Sequence, residues 1–139
     1  MLIQTRQPTH HAVTCAVTHD YQGFVKIELP GRTDPPYPPT VRLTNVVISG
    51  AKESVVAFET RRAARWARDA AGKHGLDVEV VGPAPCPIER VKQRWRWHFF
   101  LRAANGNQLS RLGAGVARTL KPTARDIRVV LDRDPVSLL

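Results

Sequence analysis

The hydrophobic and polar positions from residue 41 onward switch between the period of a strand and the period of a helix. They predict four strands and two helices: strands at 41–49, 77–81, 90–102 and 126–132, and helices at 52–74 and about 108–120. The sequence GPAPCP at residues 82–87 predicts a rigid loop, because proline fixes φ. The order β-α-β-β-α-β predicts an α+β fold of the split βαββαβ type, a four-stranded sheet with two helices on one face.

Residues 1–39 have a different pattern, which predicts a short helical connector before the domain at 40–139. Apolar residues fall on one face of a helix over residues 9–19, and Asp20 is placed to cap a second short helix that Pro30-Gly31 ends. Prolines dominate residues 31–39 and favour extended backbone, so this stretch is predicted to be a stiff linker.

Length and composition set limits on the class of protein. The chain has 139 residues, of which 42% are hydrophobic, and these values predict one folded domain rather than a disordered chain. We expect a cytoplasmic protein, since the sequence has neither an apolar run of membrane-spanning length nor a secretory signal pattern at its start. Cys15 and Cys86 are expected to be free thiols, with a single disulfide as the alternative.

The charge of the chain is strongly positive. Lys and Arg number 21 against 12 Asp and Glu, which gives a formal net charge of +9, and only five of the cations are lysines. An arginine-rich domain indicates a polyanionic partner, above all nucleic acid. The alternative is a genome whose codon usage favours arginine, and only the placement of the charges separates these two explanations.

The predicted strand at 90–102 carries the densest charge. Alternation places its odd residues, which are nearly all apolar, against the helices and its even residues on the opposite face. That face is expected to form a basic ridge that binds DNA phosphates, made of Arg90, Lys92, Arg94 and Arg96. The alternative is an ordinary solvated sheet face whose charge Glu79 and Asp132 balance.

A second basic stripe lies on the long predicted helix, where Arg61, Arg65 and Arg68 are spaced at i, i+4 and i+7. It is a candidate second DNA contact, although such stripes are common on solvated helix faces. Trp95 and Trp97 offer rings on which bases stack, but their position in the alternation favours a place in the core.

The sequence lacks clear motifs of catalysis and of metal binding. The sequence has no G-x-x-x-x-G-K-[ST] loop, and we expect no catalytic residue and no enzyme activity of the chain on its own. His11, Cys15 and His19 share one helix face, but a spacing of about 12 Å between the two histidines is too long for one metal ion. We therefore expect no metal ligands and no cofactor-binding residues.

Several segments together resemble the C-terminal part of the primosomal replication-restart helicase family PriA, also called primosomal protein N-prime. The resemblance runs, in order, through Leu2-Ile3-Gln4-Thr5, His11-Ala12, Asp20-Tyr21, Tyr37-Pro38-Pro39, Gly82-Pro83-Ala84-Pro85-Cys86-Pro87-Ile88, the basic run from Arg90 to Arg96, and Asp132-Arg133-Asp134-Pro135. The sequence departs from the family at Gln93, where the family has glycine within the basic run, and at Thr40, where it has a hydrophobic residue.

The resemblance implies that residues 1–39 are the tail of a helicase lobe with its connector, and that residues 40–139 are a DNA-binding C-terminal domain. Family members recognise forked DNA and load the replicative helicase. Their ATP-driven motor and zinc-binding segments precede the region seen here, so we expect this chain to bind neither ATP nor zinc. The implied partners are forked or single-stranded DNA, single-stranded-DNA-binding protein and other primosome proteins.

Two other classes of function stay open at this point. The chain is alternatively a protein-interaction module that docks on helicase lobes or on single-stranded-DNA-binding protein. It is also compatible with a small RNA-binding domain, since sheets of this size bind RNA as well.

Overall fold

The computed structural model describes residues 2–120 and 125–136. The chain forms two compact units, Met1–Thr40 and Val41–Leu139. The helices and strands in chain order are α1 (His11–Val17), α2 (Tyr21–Glu28), β1 (Arg42–Gly50), α3 (Glu53–Lys73), β2 (Glu79–Val91), β3 (Arg94–Ala103), α4 (Gly106–Thr119) and β4 (Arg128–Arg133). The predicted α+β fold with the order βαββαβ is confirmed.

The four strands of the second unit form one antiparallel sheet in the order β2-β3-β1-β4. Its core lies between one face of the sheet and the two helices, where Val46 and Phe99 are opposite each other on β1 and β3 and both are fully buried. The buried side of α3 is rich in alanine, which lets the helix approach the sheet closely. α3 contacts β2 while α4 contacts β4, so each helix covers one half of the sheet.

Gly50 ends β1 at a point where no side chain fits. A Cβ atom at this position would lie 2.6 Å from Cδ1 of Ile127 and 3.0 Å from Cγ2 of Val56. A side chain at residue 50 would therefore crowd Ile127 and Val56, and the packing at the end of β1 favours glycine.

The hairpin of β2 and β3 differs from the prediction in two ways. The GPAPCP segment is not a loop but part of β2, with register shifts between Val81 and Ala84 and between Pro85 and Arg90. Within the described part of the chain β2 pairs only with β3, which makes it an edge strand, and edge strands accept proline because their outer side needs no amide donors.

The predicted single strand at 90–102 was also wrong, since the chain turns back within it. Lys92 and Gln93 both have positive φ, 48° and 62°, and form a two-residue turn between the end of β2 and the start of β3. Hairpin turns of this kind usually contain Asn-Gly, so Lys-Gln gave no sign of a turn.

The first unit is a helical hairpin followed by turns. Asp20 caps α2, as predicted, by accepting a hydrogen bond of 2.8 Å from the amide of Gly23. The linker after α2 was predicted to be extended, but it starts with a 3-10 helix at Pro30–Arg32 and then folds back. Arg32 holds the turn by donating to the carbonyl of Pro38 at 3.1 Å and to the carboxylate of Glu28.

Candidate nucleic-acid interface

The arginines of α3 meet two tryptophans at the β2 side of the sheet. The guanidinium of Arg61 lies over the ring of Trp97, 5.1 Å from its centroid. Arg90 of β2 is paired with Trp95 of β3, and its guanidinium lies 5.3 Å from the centroid of that ring. Arg65 is exposed one turn beyond Arg61. We call this surface, made of Arg61, Arg65, Arg90, Trp95 and Trp97, the arginine–tryptophan edge.

The two tryptophans belong partly to the core and partly to the surface. Both pack against the buried cluster on the helix side of the sheet, which confirms the predicted packing of the odd residues of β3. Both also keep an intermediate exposure, and each has an arginine on its ring. Attraction between a guanidinium and an aromatic ring contributes about 0.5–1 kcal/mol at exposed sites. The rings therefore hold the arginines in place at the rim of the core.

The prediction that Arg90, Lys92, Arg94 and Arg96 form one ridge on one face was wrong. The turn at Lys92 and Gln93 separates Arg90 from Arg94, and Arg90 lies with Trp95 on the helix side of the sheet. Arg94 and Arg96 follow the alternation of β3 and lie on the opposite face. The candidate phosphate contacts are thus divided between two surfaces.

Three of the predicted DNA-binding arginines hydrogen-bond to backbone carbonyls within the domain. Arg94 donates to the carbonyl of Ser49 at 2.9 Å and to that of Asp126. Arg96 donates to the carbonyl of Ile88 at 3.4 Å. Arg68 donates to the carbonyls of Val80 and Gly82, which joins α3 to the GPAPCP segment. These bonds give the three side chains a structural role.

The sheet face opposite the helices is less basic than predicted. Arg102 is paired with Glu79 on β2 at 2.6 Å, and Glu79 is one of the two acids that the alternative of a balanced sheet face named. His98 is buried on this face, and burial, with the nearby charge of Arg96, lowers its pKa. Burial likewise raises the pKa of the Cys86 thiol. Part of this face is therefore closed to solvent and carries little free charge.

The net charge is unevenly divided along the sequence. Residues 1–40 contain three basic and three acidic residues, whereas residues 41–139 contain 18 basic and nine acidic residues. The whole excess of nine positive charges thus belongs to the second unit. A general codon bias would raise arginine in both units, so the division favours a functional explanation of the charge.

Phe58 is a feature of this surface that the sequence analysis did not single out. It lies on α3 one turn before Arg61, and 59% of it is exposed. The spacing of Phe58, Arg61, Arg65 and Arg68 at i, i+3, i+7 and i+10 was the available signal, because it places all four on one helix face.

Neither a metal site nor a membrane-spanning helix is present among residues 2–120 and 125–136. In that part of the chain no group of three or more His, Cys, Asp or Glu side chains is arranged to hold a metal ion. His11, which was considered as a metal ligand together with Cys15 and His19, instead forms a hydrogen bond of 2.9 Å with Glu28. This bond is the largest cause that lowers the pKa of Glu28, and the hydrogen bond of Arg32 is the next. No helix in the same residues has the length and hydropathy needed to span a bilayer.

The fold and the edge define a small α+β domain with a basic surface flanked by aromatic rings. A family model described as "Primosomal protein N C-terminal domain" matches residues 35–136. The chain belongs to this family, and the resemblance found in its sequence is confirmed.

Replication restart proteins PriA of several bacteria are similar to the chain. The chain is 26% identical to that of Bacillus subtilis over its whole length, 34% identical to that of Synechocystis over 73% of the chain, and 32% identical to that of Treponema pallidum over its whole length. It spans only 17%, 12% and 20% of these relatives, respectively. It therefore corresponds to one part of a replication restart protein.

Proposed function

We propose that the second unit is a DNA-binding domain of a replication restart protein and that it contacts the phosphate backbone through the arginine–tryptophan edge. The observation that carries the proposal is the position of Arg61, Arg65 and Arg90, which are all exposed at one edge. Cations gathered on one surface repel one another, and phosphates relieve that repulsion.

The phosphate contacts are proposed for Arg61, Arg65 and Arg90, with Lys92 at the hairpin tip beside them. Arg65 has no hydrogen bond or ion pair among the described residues, so its guanidinium is available to a ligand. Arg68, Arg94 and Arg96 are proposed to act chiefly by holding the domain together, since each already binds carbonyl oxygen. Forked or single-stranded DNA in the cytoplasm is the proposed ligand, and the domain is proposed to be non-catalytic. ATP hydrolysis and zinc binding belong, in this proposal, to other parts of the longer relatives.

The test compares two double variants that remove the same charge. Arg61→Gln with Arg65→Gln changes the edge, and Arg111→Gln with Arg118→Gln changes exposed arginines of α4, which covers the other half of the sheet. Fluorescence anisotropy measures binding to a fork, a single strand and a duplex over a series of salt concentrations. Each lost phosphate contact lowers the salt slope by about 0.7–0.9, so the edge variant is expected to lose about 1.4–1.8.

The α4 variant is expected to keep most of the slope of the unaltered chain. The effects should be alike for unrelated DNA sequences, because phosphate contacts carry no base information. Equal losses in the two variants, or no binding to any DNA at low salt, would contradict the proposed site.

A second function is favoured by the apolar surface of the first unit. Val17, Tyr21 and Ile27 are 64%, 75% and 55% exposed on the α1–α2 hairpin. We propose that this hairpin docks on another protein, either the helicase part of a restart protein or single-stranded-DNA-binding protein. Interferometry measures binding of this chain to the Bacillus subtilis relative from which the matched segment has been deleted. This experiment tests docking on the helicase part of a restart protein. Ile27→Asp should weaken binding at least tenfold, and equal binding by both chains would refute the docking.

A further inference from the structure

Phe58 is the starting point, because the described residues give no packing reason for its ring. The side chain lies on the arginine face of α3 and is 59% exposed, although Ala57 and Glu59 on either side of it in the sequence are buried. A single exposed aromatic residue is common on protein surfaces. What is unusual here is that it adjoins Arg61, which itself lies over Trp97.

The edge therefore offers more aromatic surface than a phosphate site uses. Phosphates are bound by cations and amides, and a ring adds nothing to that contact. Bases present their flat faces to a protein only when they are unpaired, since stacking hides those faces in a duplex. Phe58, Trp95 and Trp97 beside three arginines form the combination of charge and rings that tracks a single strand.

We propose that the arginine–tryptophan edge, extended by Phe58, stacks unpaired bases and so selects single strands over duplex. This inference rests on the proposed function, because it assigns the type of DNA that the same edge binds.

The spacing of the rings supports unstacked bases. Trp95 and Trp97 are two residues apart on one face of β3, which separates them by about 6.8 Å along the strand. Neighbouring bases in a duplex are about 3.4 Å apart, half of that distance. Successive bases can meet both rings only in a stretched strand. An incoming base stacks on the outer side of the guanidinium that lies over each indole, or it displaces that guanidinium and stacks on the indole itself. Either contact is favourable.

A purely structural role of the rings explains only part of this arrangement. Packing on the core accounts for the buried sides of Trp95 and Trp97. It does not account for Phe58, which lies outside the buried cluster.

The experiment separates bases from phosphates. The probes are a 12-residue oligothymidylate, an abasic strand with the same number of phosphates, and a duplex of the same length. The full chain is compared with Phe58→Ala and with Val130→Ala, a control that trims a similarly exposed apolar residue (56%) on β4. The full chain is expected to bind oligothymidylate about tenfold more tightly than the abasic strand, the effect of stacking one base.

Phe58→Ala should remove most of that tenfold preference and leave abasic binding unchanged, while Val130→Ala should change neither. A chain with Trp66→Phe retains Trp95 and Trp97 as its only tryptophans, and oligothymidylate should quench the tryptophan fluorescence more than the abasic strand does. Equal binding of base-containing and abasic strands, or a Phe58→Ala variant with an undiminished preference, would overturn the stacking and leave the phosphate site intact. Failure to bind any probe would overturn both proposals.

Discussion

Arg94 is predicted to stabilise the domain rather than to bind DNA. Its guanidinium joins the end of β1 to the segment before β4 by donating to the carbonyls of Ser49 and Asp126. Arg94→Gln removes this bridge. Arg94→Lys also removes it but keeps the positive charge, because an ammonium is a compact point charge without the planar fork of arginine.

The size of the effect follows from these bonds. A hydrogen bond to a charged group contributes about 1.5–3 kcal/mol, and the partly exposed position of Arg94 places the total loss at the low end, about 2 kcal/mol. For a domain of about 100 residues, that loss lowers Tm by about 10 °C. Arg65→Gln is the matched control, since an exposed side chain without such a bridge is expected to change stability by less than about 0.5 kcal/mol.

The assay combines thermal unfolding with DNA binding at a temperature where every variant is folded. Both Arg94 variants should melt earlier, and Arg94→Lys should bind DNA with the salt slope of the unaltered chain. Arg65→Gln should give the reverse result, an unchanged Tm and a lower slope. If Arg94→Gln keeps its Tm and loses DNA binding, then the guanidinium is a ligand for phosphate and the structural role is refuted.

Three further predictions concern the core and its titration. Phe99→Ala should lower the free energy of unfolding, measured in urea, by about 3–5 kcal/mol, because the ring is fully buried. Phe58→Ala should lower it little, because that ring is exposed, and equal losses would contradict the assigned core. Gly50→Ala should cost about 1–3 kcal/mol, since its Cβ meets Ile127, and an unchanged urea midpoint would refute that clash. Burial lowers the pKa of His98 below its usual 6.5, so the unfolded chain binds the proton more readily and stability should fall as pH drops through about 6.5. His98→Gln should flatten that fall between pH 7.5 and 5.5, and identical pH profiles would count against the assignment.

The regular elements were predictable because their patterns are long. The helix predicted at 52–74 is observed at Glu53–Lys73, and the strand predicted at 41–49 is observed at Arg42–Gly50. Both have a continuous apolar face that only one type of structure can bury. The alternation within β3 was predicted correctly for the same reason, since its odd residues pack against the core.

The candidate site was only partly predictable, because its geometry depends on pairing between distant residues. Because the turn at Lys92 and Gln93 was not predicted, Arg90 was assigned to the wrong face of the sheet. It lies on the face that carries Trp95. The contact of Arg61 with Trp97 joins a helix to a strand 36 positions away, and no local pattern contains that information.

The turn at Lys92 and Gln93 has a consequence for the evolution of this hairpin. Two residues with side chains keep a left-handed backbone there, which costs each of them about 1–2 kcal/mol relative to right-handed geometry. The hairpin is thus locally frustrated, and its register is imposed by the packed sheet instead of by the turn that joins its strands. Gln93→Gly would remove half of that conflict, because glycine adopts a positive φ without steric cost. The tip is accordingly a place where this lineage can gain stability in a single substitution without disturbing its core.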